Sequence, residues 1–132
     1  METEIRPVKE TNTYQLKILI IDDEADICYL LSMLLKKKNF ATSYVNSLSE
    51  AVIALEKEDP NLVFLDNHLP DGLGLNFIEH IKSTKPDCKI VMITAHDTVS
   101  DRERAMKEGV DHFIGKPFNR EVIYQTVEQL LN

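Results

Sequence analysis

Four short apolar runs end abruptly on polar side chains, and this pattern constrains the fold more than any other feature. The clearest run, Leu62 to Leu65, follows Pro60, ends on Asp66 and precedes a turn rich in proline and glycine. A continuous apolar run of this length is typical of a strand that is buried on both faces of a sheet. Asp66 is therefore predicted at the carboxyl end of a buried strand, where open α/β sheets bind ligands.

The other three runs end on residues with acidic, hydroxyl or basic side chains: residues 17 to 21 on Asp22, Asp23 and Glu24, residues 90 to 93 on Thr94, and residues 110 to 114 on Gly115 and Lys116. If the first and third strands are neighbours, Asp22, Asp23 and Asp66 converge at one edge of the sheet. Two carboxylates about 4 Å apart repel by about 4 kcal/mol at an effective dielectric near 20. Three of them need a counter-charge, and their oxygen atoms suit Mg²⁺ or Mn²⁺ better than zinc.

Helical patterns alternate with these strands. Apolar spacing and capping residues predict helices over residues 26 to 38, from Ser47 or Ser49 to Pro60, over 75 to 83, over 98 to 108 and after Asn119. A further strand over residues 40 to 45 is mixed in polarity and is therefore predicted at a sheet edge. The helix over residues 98 to 108 has few apolar residues, so we expect it to be the least firmly anchored. Five strands alternating with five helices predict a parallel α/β sheet.

Composition narrows the possible functions. The 132 residues are 43% hydrophobic, enough for one domain with its own core, and the net charge of -7 disfavours binding to nucleic acid or an anionic membrane. Cys28 and Cys88 form no CxxC pair and are predicted to be buried thiols of a reducing compartment. Residues 1 to 15 carry no periodicity and no apolar segment, so they are predicted to be a flexible leader without a signal peptide or membrane span. We therefore expect a cytoplasmic protein.

The acid pair, the lone aspartate, the threonine and the Lys116-Pro117 pair, each closing a hydrophobic strand in this order, resemble the receiver domain of two-component response regulators. The resemblance covers about residues 16 to 131 and implies that residues 16 to 132 form one receiver domain. It also implies a flavodoxin-like, doubly wound sheet of five strands in the order 2-1-3-4-5 with five helices, and a cis peptide bond before Pro117.

The resemblance implies a role for each residue at the strand ends. Asp66 would be the nucleophile that accepts a phosphoryl group from the phosphohistidine of a sensor histidine kinase or a histidine phosphotransfer protein. Thr94 and Lys116 would hold the phosphoryl oxygens. The metal ligands would be Asp22, Asp23, Asp66 and the backbone carbonyl of His68. The chain would then be a signalling phosphoacceptor of a phosphorelay, catalysing its own phosphotransfer and dephosphorylation, rather than a conventional enzyme.

Three further residues occupy positions that in this family govern the response to phosphorylation. Phe113 would be the switch aromatic, turning inward when Thr94 moves toward the phosphoryl group; the alternative is a core phenylalanine in an interior strand. His68 and His96 would tune the lifetime of the phosphoryl group, or are simply exposed loop residues. The histidines at 68, 80, 96 and 112 are spaced too widely along the chain for a local zinc motif, and His80 is expected on a helix surface.

Other functions share parts of this pattern. An aspartyl-phosphate hydrolase needs a second acid two residues after the nucleophile, where this chain has His68, and a cap domain for which there is no room. A flavin-binding module needs a phosphate loop after the first strand, where Asp22 and Asp23 would repel phosphate. A degenerate receiver that acts only as an interaction scaffold, independent of phosphorylation, is the remaining alternative.

The sequence is compatible with several ways in which the domain could pass its signal on. The fourth helix, fifth strand and fifth helix form a face that suits a downstream partner, an effector domain or a homodimer, but equally an ordinary solvated surface. Its mixed charges include Arg102, Glu103, Lys107, Arg120, Tyr124 and Glu128. The last helix has no glycine stop after Leu131, which favours a receiver cut from a longer protein over one that stands alone.

Overall fold

The computed structural model describes residues 15 to 96 and 98 to 131, so most of the predicted leader lies outside the described residues. A parallel sheet has helices on both faces. Its strands are β1 (Lys17–Ile21), β2 (Ala41–Val45), β3 (Leu62–Leu65), β4 (Lys89–Thr94) and β5 (His112–Gly115). The helices are α1 (Ala25–Lys36), α2 (Leu48–Glu58), α3 (Ile78–Thr84), α4 (Val99–Glu108) and α5 (Arg120–Leu131).

The strands lie in the order β2-β1-β3-β4-β5 and every neighbouring pair is parallel. This confirms the predicted flavodoxin-like topology, with the mixed-polarity strand β2 at one edge. Ile21 pairs with Leu65, so the residues that follow them, Asp22 and Asp66, emerge side by side. Thr94 pairs with Gly115, which brings Lys116 to the same edge. The register of the sheet therefore gathers the predicted site.

Two hydrophobic layers cover the sheet, and successive strand residues alternate between them. One layer packs under α2, α3 and α4, and the other under α1 and α5. On β3, Val63 faces the first layer and Phe64 the second, which explains why the strand reads as an unbroken apolar run. Among its described residues α4 buries only Ala105, confirming that it is weakly anchored.

Several element ends follow the capping signals in the sequence. The Ser47 hydroxyl accepts from the Glu50 N–H at 3.2 Å at the start of α2, and the Asn119 side chain accepts from the Val122 N–H at 2.9 Å at the start of α5. The helix α4 ends at Gly109, whose φ of 108° is a left-handed conformation. None of the helices in the described ranges is long and apolar enough to cross a bilayer.

The predicted boundaries differ from the structure by one to three residues. The helix predicted over residues 75 to 83 is α-helical only from Ile78, because Gly74–Phe77 forms a 3₁₀ turn packed against the loop after β3. That loop also contains a short hairpin in which His68 pairs with Leu73. The strand β5 begins at His112 rather than residue 110, and α1 ends at Lys36 rather than residue 38.

Phe64→Ala should lower the free energy of unfolding by about 3–5 kcal/mol, since the ring is fully buried in the central strand and its loss leaves a cavity. Urea unfolding followed by circular dichroism measures this change. The control Val99→Ala removes a side chain that is 72% exposed and should change stability by about 0.5 kcal/mol or less. Equal losses in the two variants would contradict the central position of β3.

Candidate functional site

The carboxyl ends of β1, β3, β4 and β5 surround an open cleft of about 310 Å³. Its lining consists of Asp23, Glu24, Asp66, His68, Thr94, Ala95, His96 and Lys116. Asp22 lies beside it and is completely buried. Every predicted site residue except Phe113 therefore lies in or against one cleft.

Three carboxylates meet at this edge of the sheet. Asp22, Asp23 and Asp66 each offer an oxygen atom within 4.8 Å of the others. Asp22 and Asp66 are buried, whereas Asp23 is exposed. The predicted convergence of the acids is confirmed, and a set of hard oxygen donors open to solvent on one side suits a divalent cation such as Mg²⁺ or Mn²⁺.

Lys116 supplies the positive charge that the structure places among these acids. Its Nζ lies 2.8 Å from Asp22 Oδ2 and 3.7 Å from Asp66 Oδ2. It also lies 2.5 Å from Glu24 Oε1, a contact that the sequence did not predict. The available signal was that Glu24 directly follows the acid pair at the same strand end. One ammonium group thus bridges three carboxylates.

Burial raises the pKa values of Asp22 and Asp66 even though Lys116 lies beside them. Removal from water, followed by repulsion from Asp22, raises the pKa of Asp66 to about 6, although Lys116 and the Asn67 N–H act against the shift. Burial also raises the pKa of Asp22, more than its bonds to Lys116 and the Glu24 N–H lower it. Burial alone would lower the pKa of Lys116, but hydrogen bonds to Asp22 and Glu24 outweigh it and raise the pKa. The cluster is therefore short of positive charge.

The loop after Asp66 is held by backbone contacts. Asn67 is buried, and its backbone and side-chain oxygens accept from the N–H groups of Gly74 at 2.8 Å and Leu75 at 2.9 Å. A Cβ atom at position 74 would overlap the Asp66 carbonyl, so only glycine fits there. Sequence reasoning missed Asn67, whose role depends on a bond between residues eight apart.

A second carboxylate from this loop is bonded to a helix. Asp71 accepts from the N–H groups of Leu48 and Ser49 at 2.8 and 3.0 Å, at the start of α2. These two bonds lower the pKa of Asp71, because they favour the ionised carboxylate. The loop that carries Asp66 is therefore tied to α2.

Of the two predicted switch residues, Thr94 lines the cleft and Phe113 lies outside it. Thr94 is buried at the end of β4, and its Oγ1 accepts from the His96 N–H at 3.2 Å. Phe113 is also buried, outside the cleft, with the Arg102 guanidinium 4.8 Å from the centre of its ring. Its strand β5 is an edge strand rather than the interior strand considered from the sequence. The Lys116–Pro117 bond is cis, as the resemblance implied.

The histidine rings occupy two distinct environments. His68 and His96 are exposed at the cleft, and their ring centres lie 3.9 Å apart with an interplanar angle of 43°. His80 lies on α3, half-buried, and stacks on Phe77 with the ring centres 5.0 Å apart. Their separation in the sequence did not predict that His68 and His96 would be in contact.

Two residues of the predicted partner face, Tyr124 and Glu128, instead line a pocket with Lys38, on the side of α5 that meets α1. Tyr124 donates from its hydroxyl to the Leu34 carbonyl at 3.0 Å, and Lys38 Nζ lies 4.7 Å from its ring centre. It therefore contacts α1, because it shares a helical face with the buried Val127. Both cysteines are buried and free, as predicted.

Comparison with known proteins gives consistent matches. The model of the response regulator receiver domain family matches residues 18 to 128. The phosphate regulon transcriptional regulatory protein PhoB of Escherichia coli K12 is 32% identical over 117 residues, which are 87% of this chain and 51% of PhoB. The chain thus spans about half the length of this curated relative.

Solved structures agree in fold. A two-component response regulator from Clostridium difficile gives a TM-score of 0.85 at 31% identity, covering 89% of this chain and 96% of that chain. The beryllofluoride-activated NtrC4 receiver domain dimer gives 0.82 at 32% identity, covering 86% of this chain and 94% of that chain.

Asp66→Asn should stabilise the metal-free protein at pH 8 and have little effect at pH 4. The folded-state pKa of about 6 lies above the ordinary value of 3.8, so the destabilisation from Asp66 is absent below pH 4 and grows as pH rises to 6. The difference between a pKa of 3.8 and one of about 6 corresponds to about 3 kcal/mol of unfolding free energy. Urea unfolding in a chelating buffer at the two pH values measures the difference.

The matched variant Asp71→Asn should behave in the opposite sense. Because the pKa of Asp71 is lowered, its carboxylate stabilises the fold above its ordinary pKa, and this contribution disappears as pH falls through the lowered value. The variant should therefore lose stability at pH 8. A loss of stability in Asp66→Asn at pH 8 would contradict the electrostatic account of the cleft.

Proposed function

The chain belongs to the response regulator receiver domain family, and from that premise we propose that it accepts a phosphoryl group on Asp66 from the phosphohistidine of a sensor histidine kinase or a histidine phosphotransfer protein. The observation that carries this proposal is the position of Asp66. It is a buried carboxylate on an open cleft that Lys116 and Thr94 also line. With a pKa of about 6, the carboxylate is ionised, and therefore nucleophilic, at neutral pH.

The transfer needs orientation more than acid–base catalysis. A carboxylate oxygen of Asp66 attacks phosphorus while the bond to the donor imidazole breaks, and the electron pair of that bond returns to the imidazole nitrogen. Lys116 already contacts Asp22, Glu24 and Asp66, so its ammonium needs only a short movement to pair with a phosphoryl oxygen. The Thr94 hydroxyl donates to a second oxygen.

We further propose that Mg²⁺, or Mn²⁺ in its place, occupies the acid cluster. The ligands would be Asp22, Asp23, Asp66 and the backbone carbonyl of His68. A bound ion would offset the mutual repulsion of the carboxylates and neutralise charge on the phosphoryl group. The support is the oxygen-only donor set within 4.8 Å and the shortage of positive charge beside it.

Phosphorylation is proposed to act on Thr94, Phe113 and α4 together. A switch from mostly off to mostly on requires phosphorylation to favour the on state by about 5.5 kcal/mol. Phe113 already lies inside, under Arg102, so the proposed rearrangement repacks a buried ring rather than moving it in from solvent. The helix α4 buries little of its own surface and can shift at low cost.

The output surface is proposed to be the face of α4, β5 and α5, engaging a downstream partner, an effector domain or a second receiver. The dimer of the activated NtrC4 receiver supports the last of these. We place this activity in the cytoplasm within residues 16 to 132, away from membranes and without direct contact to nucleic acid. His68 and His96, which border the cleft beside Asp66, are proposed to tune how long the phosphoryl group persists.

Acetyl phosphate should add one phosphoryl group to the wild-type protein in the presence of Mg²⁺, and none to Asp66→Asn. The reason is that Asp66 lines the open cleft near Lys116, whereas Asp22, the other acid of the cluster that contacts Lys116, is completely buried. Intact-mass spectrometry with and without a chelator measures the adduct. Asp87→Asn, which changes an exposed carboxylate that does not line the cleft, is the control and should still be modified.

An adduct that persists in Asp66→Asn would show that another residue accepts the phosphoryl group. The absence of any adduct on the wild type, with Mg²⁺ present, would favour the scaffold function that does not depend on phosphorylation.

Phe113→Ala should bind beryllofluoride with Mg²⁺ as the wild type does but transmit less of the change to α4. Removing the ring takes away the contact between β5 and the Arg102 side chain on α4. Amide hydrogen exchange in residues 99 to 108, with and without beryllofluoride, measures the response. Met106→Ala, which removes a side chain on α4 that is 51% exposed, is the control. An undiminished response in Phe113→Ala would remove this ring from the switch.

A further inference from the structure

Two imidazole rings from different strand ends meet at the mouth of the cleft. His68 lies in the hairpin after β3, and His96 follows the end of β4. Their ring centres are 3.9 Å apart, and both side chains are exposed. In the part of the chain that the structure describes, neither ring takes part in a hydrogen bond or an ion pair, so its nitrogen atoms remain available.

We propose that His68 and His96 together bind a transition-metal ion that prefers imidazole, namely Zn²⁺, Cu²⁺ or Ni²⁺. Neutral imidazole nitrogen is a common ligand of these ions and a poor one for Mg²⁺. The ion would be held by one nitrogen from each ring, and water would complete its coordination. This site is distinct from the acid cluster, which offers only oxygen atoms.

The geometry requires a small rearrangement. Two imidazoles that share a tetrahedral ion hold it at about 2.0–2.1 Å, which places their ring centres roughly 5 Å apart. The rings must therefore separate by about 1 Å from their present contact. Both side chains are exposed, so each ring can rotate toward solvent between staggered rotamers.

The backbone on both sides keeps the two histidines within reach of each other. His68 is paired with Leu73 in the hairpin, and the His96 N–H donates to Thr94 Oγ1. Both anchors sit at the carboxyl edge of neighbouring strands, β3 and β4. A bound ion would therefore join two loops that the fold already places side by side.

Such an ion would also affect the proposed phosphotransfer. His68 and His96 line the same cleft as Asp66, on its open side. An ion between the two rings would stand in the path of an incoming phosphodonor. This consequence rests on the proposed function of Asp66, whereas the binding itself does not.

The binding test uses the full chain without a polyhistidine tag. Isothermal titration with Ni²⁺ or Zn²⁺ in the absence of a phosphodonor should give one strong site per chain. His68→Ala and His96→Ala should each weaken it by at least roughly tenfold, since one of two protein ligands is lost. The matched control is His80→Ala, because His80 stacks on Phe77 and does not line the cleft. Cu²⁺ bound to the wild type should show hyperfine coupling to two imidazole nitrogens in its electron paramagnetic resonance spectrum.

Two results would overturn the site: affinities in His68→Ala and His96→Ala equal to that of the wild type, or a loss of binding in Asp23→Asn while both histidine variants bind normally. The second result would put the ion in the acid cluster. A separate experiment measures how fast acetyl phosphate modifies the protein in the presence of Mg²⁺. Saturating Zn²⁺ should slow this modification in the wild type and leave its rate unchanged in His68→Ala. If no phosphoryl adduct forms in any sample, the proposed function fails, but the titration still decides whether the metal site exists.

Discussion

The burial of two carboxyl groups at one edge of the sheet is the constraint on which the rest of this structure depends. Asp22 and Asp66 are removed from water at the ends of neighbouring strands, and the pKa of each is raised as a result. When both are ionised, the two carboxylates repel each other. Burial of the two apolar layers around the sheet must offset the free energy that this repulsion costs. A slip of one residue of β3 against β1 would separate the pair and turn every side chain of the slipped strand to the opposite face. The same register thus specifies both the core and the site.

The positive charge of Lys116 offsets only part of this repulsion. Its ammonium is divided between Asp22, Glu24 and the more distant Asp66. An ammonium group that contacts three acids can change partner without leaving the cleft. Added negative charge at Asp66 would therefore strengthen a contact that Lys116 already makes. Because Glu24 is exposed, its ion pair with Lys116 can break at little cost in free energy. The cleft is therefore organised to respond to added charge of either sign.

The sequence predicted the strand ends well because the physical rule behind them is local. An apolar run that stops on Asp66 or Thr94 needs only its own neighbours to be recognised, and parallel packing then aligns the ends. The class of fold, the strand order and the convergence of the acids were predicted in this way, with the order coming from the family resemblance. The position of β2 at an edge followed from its polarity.

Contacts between loops were not predictable in the same way. The pairing of Glu24 with Lys116, the bond from Asn67 to Leu75 and the contact of His68 with His96 join residues whose separation in sequence has no periodic meaning. Tyr124 was assigned to the wrong surface because its face of α5 depends on where α1 lies, which the pattern of α5 alone does not contain. Helix boundaries failed where a tight backbone approach, as at Gly74, overrides apolar spacing.

The two bonds from Asp71 to the first turn of α2 give one loop of the site a firm attachment. They fasten the loop after Asp66 to a helix that buries Ala51, Ala54 and Leu55. The helix α4 packs on the same face of the sheet but buries only Ala105 among its described residues. The loop after Asp66 is therefore fastened to a well-buried helix, whereas the loop after Thr94 leads into a helix that buries little of its surface. A rearrangement at the strand ends would meet less resistance at α4 than at α2.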